Sequence, residues 1–260
     1  MNILITGYNG FIGQNMTRYL SDHNLYFFEW GEVFDSKIFK KLDWVIHLGA
    51  NSSTTETDVE KVYSRNVDFT LTLSLLCKQF DVNLQYASSA SVYGLNTNFA
   101  EDAPKNPQSP YAWSKFIVDR YMEHTQFSNN NILVQGFRYF NVYGPYESHK
   151  ENQASPYYNF DKQAKETGVI KIFEGSENFK RDFIHVDTVC KIHEAMLNKK
   201  VSGIFNVGMG ETKSFLQVAE EIAKKHNAKI EYIPMPENIK YQYQTYTCAD
   251  LTKLNGVLNG

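Results

Sequence analysis

The stretch that most limits what this chain can fold into is its beginning. Asn2-Ile3-Leu4-Ile5-Thr6 is a short apolar run that reads as a buried parallel strand. It passes directly into Gly7-Tyr8-Asn9-Gly10-Phe11-Ile12-Gly13, and Ile12, Met16, Tyr19 and Leu20 then recur at helical spacing. Strand, glycine turn and helix in immediate succession predict the first unit of an open α/β sheet. The glycines permit a tight turn, and the free N–H groups of the helix N-terminus face an anion such as a pyrophosphate. A glycine turn that simply joins strand to helix is the alternative.

The 260 residues are enough for one large domain or two intimate lobes. A net charge of −3 offers no basic footprint, so no nucleic-acid partner is expected. Cys77, Cys190 and Cys248 are odd in number and far apart, which predicts no disulfide framework and a reducing compartment. No Cys or His spacing suits a metal, and no metal site is expected. No apolar run approaches membrane-spanning length or the form of a signal peptide, so a soluble, cytoplasmic protein without a membrane partner is expected.

A second strand is expected over 25–30, with Glu29 near its end, an acid placed to bond a ribose hydroxyl. Lys37, Lys40 or Lys41 would have to answer a 2′-phosphate, which Glu29 repels. The next strand, over 42–48, contains His47, which reads as a packed core residue. The polar loop Ser52-Ser53-Thr54-Thr55-Glu56-Thr57 offers hydroxyls to phosphate or sugar, or helix caps at Thr54 or Thr55. A long helix to about residue 80 follows, with Asn66 in its unfavoured middle. A strand over 83–88 ends at Ser88-Ser89-Ala90-Ser91-Val92-Tyr93-Gly94, hydroxyls on the ligand-binding edge of such a sheet.

Ser109-Pro110-Tyr111-Ala112-Trp113-Ser114-Lys115 then reads as an N-cap, a proline at the first helical position, and Tyr111 and Lys115 stacked one turn apart. An ammonium beside a phenol favours phenolate and lowers the Tyr pKa toward working pH, which makes the pair an acid–base device.

In this order and spacing the glycine turn, Ser88 to Gly94, Tyr111-x-x-x-Lys115 and Phe137-Arg138-Tyr139-Phe140-Asn141-Val142-Tyr143-Gly144-Pro145 resemble the extended short-chain dehydrogenase/reductase family of NAD-dependent epimerases and dehydratases. The resemblance implies a Rossmann-type, doubly wound parallel α/β sheet with a smaller α/β substrate lobe. Residues 1–145 would be mainly dinucleotide-binding. Residues 146–260 would be mainly substrate-binding, with strands and helices returning to the first domain. Carried over, Ser89 polarises the reacting hydroxyl, Tyr111 exchanges its proton and Lys115 holds the nicotinamide ribose. The implied cofactor is NADP, with NAD as the alternative. Its contacts fall on Gly7, Gly10, Phe11, Ile12 and Gly13, on Glu29 and Lys37, on Leu48, Gly49, Ala50, Asn51 and Ser52, and on Asn66, Lys115 and Val142.

Longer runs are similar to the ADP-glycero-manno-heptose 6-epimerase branch of that family. They include Ser52-Ser53-Thr54-Thr55-Glu56, His149-Lys150 and Phe173-Glu174-Gly175-Ser176-Glu177-Asn178-Phe179-Lys180-Arg181. The resemblance implies C6 epimerisation of an ADP-sugar, with Lys150 as the second proton-transfer group. It places the substrate at Ser52, Ser53 and Thr54, at Asn141, Asn152 and Asn159, at Phe173, Glu174, Gly175, Ser176 and Arg181, and at Tyr243. A homo-oligomer stays open. So do another nucleotide-sugar epimerase, reductase or dehydratase on this scaffold and a non-catalytic nucleotide-sugar binder. The chain departs from the pattern between the strands at 25–30 and 42–48, where the family carries a further helix and strand. Trp30 stands where the family has Asn, and Asn159 where it has a substrate-facing His. The shortened segment and Glu29 lead us to expect a weaker NADP preference than the family shows.

Overall fold

The computed structural model describes residues 1–127, 131–236 and 244–260, the side chains of Glu151 and Asn152 excepted. Strand β1 (Asn2–Thr6) lies inside the main sheet because its side chains are apolar on both faces. Leu4 packs with Val45, Leu84 and Val134 on one side, and Ile3 and Ile5 pack with Trp44 and Ile46 on the other. Helix α1 (Phe11–Tyr19) leads to β2 (Asn24–Phe28), and the chain then crosses back to β3 (Trp44–His47). Strands β2 and β3 pair parallel with opposite edges of β1. Next come α2 (Val59–Tyr63), a π turn over Ser64–Asp68 and α3 (Phe69–Gln79). After them, β4 (Asn83–Ser89), α4 (Pro110–Thr125) and β5 (Val134–Tyr139) complete the first half.

The second half alternates between two places. Strand β6 (Asn141–Tyr143), helix α5 (Pro156–Thr167) and strands β7 (Val169–Phe173), β8 (Lys180–Arg181) and β9 (Phe183–His185) build outward. Helix α6 (Val186–Leu197) and β10 (Gly203–Val207) return to the main sheet. Strand β11 (Lys213–Ser214), α7 (Phe215–His226) and β12 (Lys229–Ile233) leave it again, and α8 (Thr252–Asn259) packs near β10.

Among the described residues the main sheet has the order β10-β5-β4-β3-β1-β2, all parallel. Leu73 and Cys77 of α3 with Val118 and Met122 of α4 cover one face. Phe11 and Met16 of α1 with Val186 and Cys190 of α6 cover the other. This is a doubly wound, Rossmann-like fold. The smaller lobe joins β7 to β12 and packs α5 against α7 around Phe160, Ile170, Ile172, Val218 and Ile222. No helix among the described residues is long and apolar enough to cross a membrane.

Local boundaries differ from the sequence expectation. The strand expected over 25–30 ends at Phe28, which leaves Glu29 and Trp30 beyond the sheet, and the one expected over 42–48 is confined to Trp44–His47. The helix follows the polar loop as expected, beginning at Val59, and its cap is neither Thr54 nor Thr55 but the Asp58 carboxylate, which accepts the Lys61 N–H at 3.0 Å. Strand β2 is the last in the sheet. In place of a further helix and strand there is a 3-10 turn, Ser36–Lys41, whose Phe39 packs edge-on against Phe34, which in turn packs edge-on against Phe28 of β2.

One ion pair lies under the centre of the fold. Asp119 of α4 meets Arg138 of β5 at 2.8 Å, both fully buried, and Tyr86 Oη donates to the same carboxylate at 3.1 Å. Arg138 also donates to Tyr93 Oη and to the Glu101 carbonyl. Removing one partner of such a pair leaves an uncompensated buried charge. Asp119→Ala is therefore expected to lose about 3–5 kcal/mol in urea unfolding, whereas a loss under about 1 kcal/mol would place the pair among weak surface contacts.

Candidate active site

Two turns meet beyond the C-terminal ends of β1 and β3, where the strand order reverses. Gly7 has φ +71°, and a Cβ there would lie 2.5 Å from Gly49 Cα. A Cβ on Gly13 would press into the Gly7 carbonyl oxygen, so backbone and helix close into a cradle only with glycine at both places. Gly10 opens α1 with extended backbone, no side-chain cap and no acid in the first turn, which leaves the first N–H groups to an anion. That cradle fits the pyrophosphate of a dinucleotide. Beside it is a crevice of about 110 Å3 lined by Thr6, Gly7, Glu29, Trp30, Gly49, Ala50, Arg65 and Phe69. The Glu29 carboxylate accepts the Asn9 N–H at 3.2 Å, which fixes it against the glycine turn.

Asn66 sits in the π turn, fully buried. Its side chain accepts from Asn51 N at 2.7 Å and donates to the Asn51 carbonyl and Ser114 Oγ, both at 3.0 Å. The unfavoured mid-helix asparagine is thus the tie between the β3 loop, which runs through Leu48 to Ser52, and the α4 helix.

A second cavity, about 400 Å3, opens next to the cradle. Phe11, Ile12, Ser52, Thr54, Ser89, Tyr111, Asn141, Val142 and Lys150, all expected at a site, line it. Ser109 caps α4 through the Ala112 N–H at 3.2 Å and Pro110 follows at the first position, which aims Tyr111 into the cavity. Lys115 is buried one turn below, where Nζ donates to the Ala87 carbonyl at 2.8 Å. The ammonium lies 5.9 Å from the Tyr111 ring centroid.

This corrects the expected acid–base pairing. Burial pushes the Tyr111 phenol up, opposed by a hydrogen bond with Ser89. Burial lowers Lys115 to about 8, opposed by the Asp119 carboxylate. Burial also lowers Lys150, opposed by Glu147. Desolvation, not a cation beside the phenol, sets the directions here.

Sequence reasoning missed the groups that hold the Lys150 loop. Glu147 is buried and accepts from Gly144 N, Ser155 N and Ser155 Oγ at 2.9, 2.6 and 2.8 Å. Gln153 Nε2 donates to Ser53 Oγ at 2.8 Å and so joins this loop to the polar loop after β3. The Gln153–Ser53 contact closes only by tertiary folding, whereas the Glu147 contacts stay within the loop and its following helix cap.

Other expected residues fall elsewhere. Asn159, Phe173 and Ser176 line a cavity of about 590 Å3 in the smaller lobe, which shares Ala154 and Pro156 with the first. Glu174 N bonds the Ile233 carbonyl, and Gly175 turns at φ +83°. Arg181 is buried, donates to the Lys180 and Gln244 carbonyls and lies over the Phe215 ring. Lys37 lines another cavity, with Tyr26, Phe27, Phe28 and Phe34, whose lining does not include Glu29. Tyr243 and the Asn152 side chain lie outside the described residues.

The Lys115 shift has a measurable sign. An unfolded lysine keeps its proton to about pH 10.5, and Lys115 releases it near 8. Between those values the unfolded chain binds the extra proton, so this site's contribution to stability rises with pH. The stability of the native chain relative to Lys115→Met should therefore climb between pH 8 and 10 in urea titrations. A constant difference would mean that Lys115 keeps its proton throughout.

The model of the NAD dependent epimerase/dehydratase family matches residues 3–208. An ADP-L-glycero-D-manno-heptose-6-epimerase of Brachyspira hyodysenteriae is 38% identical, over 97% of this chain and 90% of that protein. The crystal structure of the Helicobacter pylori ADP-L-glycero-D-manno-heptose-6-epimerase superposes with a TM-score of 0.87 at 25% identity, over 99% of this chain and 90% of that one. The UDP-N-acetylglucosamine 4-epimerase of Methanobrevibacter ruminantium, at 23% identity and a TM-score of 0.89 over 100% and 92% of the two chains, shares the fold. With the family model matched over residues 3–208 and 97% of its length aligned to a relative at 38% identity, the chain belongs to the NAD dependent epimerase/dehydratase family.

Proposed function

We propose that this chain epimerises C6 of an ADP-glycero-manno-heptose through a transient 6-ketone, with NAD or NADP as bound cofactor. The observation that carries the reading is that Ser89, Tyr111 and Lys150 line one cavity beside the dinucleotide cradle. The similarity to the heptose epimerases supports the choice of sugar. Residues 1–145 serve mainly the dinucleotide and 146–260 mainly the sugar nucleotide. The sugar lies among Ser52, Ser53, Thr54, Asn141 and Asn152. The ADP half extends past Asn159 toward Phe173, Glu174, Gly175, Ser176 and Arg181.

A nicotinamide in this site supplies hydride removal and return at the carbinol carbon. The chain supplies the protons. Inverting one carbon calls for proton exchange on both faces, and two groups from separate elements meet that demand without a large turn of the sugar. Burial favours the neutral amine at Lys150 and the protonated phenol at Tyr111. In one direction Lys150 takes the hydroxyl proton as the C6–H bond breaks. Tyr111 gives its proton to the alkoxide oxygen when the new C6–H bond forms on the other face. A proton then passes from Lys150 back to Tyr111 to restore the resting state. Ser89 orients the hydroxyl for Tyr111.

Tyr111→Phe keeps the ring and removes the proton. Turnover, followed by NMR interconversion of the two heptose epimers, is expected to fall about 100-fold or more, with dinucleotide binding retained. Wild-type turnover in this variant would remove Tyr111 from the mechanism. Lys150→Met should lower epimerisation by orders of magnitude while the folded protein still reduces a 6-aldehyde analogue from its bound cofactor through Tyr111. Epimerisation near the native rate would sink the two-group scheme.

A further inference from the structure

The dinucleotide crevice contains a cation that neither the motif nor the mechanism uses. Arg65 lines it together with Glu29, Trp30, Gly7 and Gly49. The Arg65 guanidinium carbon lies 5.4 Å from the centroid of the Trp30 ring, and Trp30 directly follows Glu29. We propose that Arg65 receives the adenosine 2′-phosphate of NADP, next to Glu29, which serves the 2′-hydroxyl of NAD, so that one crevice takes both dinucleotides. The inference rests on the dinucleotide-binding reading given above.

The placement of the candidate cations carries it. Lys37, the residue expected to meet a phosphate, sits in the 3-10 turn after β2, where its own N–H bonds the Asp35 carboxylate at 2.9 Å. It lines the sheet-edge cavity with Tyr26, Phe27 and Phe34, and so does Lys41. Arg65 instead belongs to the π turn, the segment that also carries Asn66. Such turns concentrate at functional sites because they re-aim side chains out of the helical register. Among the described residues, the guanidinium has the Trp30 face as its neighbour and no carboxylate partner.

The chemistry agrees. A guanidinium presents a planar fork that matches two phosphate oxygens, and stacking on an indole holds that plane in advance. Glu29 opposes the phosphate by like charge and rewards a free 2′-hydroxyl by hydrogen bonding. The two side chains therefore pull the cofactor preference in opposite directions, and removing the cation should unbalance it.

The test is calorimetric titration of protein freed of co-purified nucleotide with NAD and with NADP. Arg65→Ala should weaken NADP by tenfold or more and leave NAD within twofold. Arg65→Lys, which keeps the charge without the fork, should recover part of the loss. Lys37→Ala should change neither affinity. Equal loss of both nucleotides in Arg65→Ala, unchanged NADP binding there, or a selective NADP loss in Lys37→Ala would each overturn the assignment. Native protein that binds NAD and not NADP would overturn it as well, whereas native protein that binds neither nucleotide overturns the dinucleotide reading itself.

Discussion

The amide of Asn66 is the contact on which the site depends. It is fully buried, and both its N–H groups and its oxygen are engaged, to Asn51 on one side and Ser114 on the other. Ser114 Oγ in turn donates to the Tyr111 carbonyl at 2.7 Å. One side chain therefore fixes the distance between the loop after β3 and the helix that carries Tyr111. Leaving any of these groups unpaired in the interior would be costly, so the arrangement is locally rigid.

The same network continues beneath the cradle. Thr70 Oγ1 donates to the Asn66 carbonyl at 2.7 Å, so toward His47 Nε2, at 2.8 Å, it can only accept. The proton of the His47 ring then sits on Nε2, and Nδ1 accepts from Thr6 Oγ1 at 2.6 Å. Burial, assisted by the Lys115 charge, lowers His47 to about 3, so the ring stays neutral. His47 is a core residue, as its strand position implies, and its role is to connect the glycine turn to the π turn rather than to move protons for substrate.

Charge is placed in the opposite manner. Asp119 and Arg138 neutralise each other below the catalytic helix, and Asp119 partly offsets the cost of burying Lys115 one turn away. The cavity lysine, Lys150, is stationed over the Phe11 ring at 5.3 Å, on a loop tied down by the buried Glu147. A desolvated amine over an aromatic face and a desolvated phenol on a helix N-terminus give two proton-transfer groups whose proton affinities burial shifts in opposite directions, the phenol's up and the amine's down.

Local rules account for what the sequence by itself determined. Strand, glycine turn and helix need only short-range sterics, and Ser109, Pro110, Tyr111 and Lys115 follow from capping and helical spacing. Those rules predicted an open α/β sheet, hydroxyls at its edge and the Tyr111–Lys115 pair, whereas the doubly wound order and the role of Lys150 came from the resemblance to the family. They did not reach contacts between residues distant in sequence. That Lys115 bonds the Ala87 carbonyl and that Gln153 ties the Lys150 loop to Ser53 were decided by packing. The direction of the Tyr111 shift was decided there too, since adjacency in a helix predicts a cation beside the phenol but only the folded interior determines how much water each group loses. The placement of Lys37 and Arg65 shows the same division. Both cations are visible in the sequence, and only the tertiary structure puts Arg65 of the π turn in the crevice with Glu29 and Lys37 of the 3-10 turn in the neighbouring cavity.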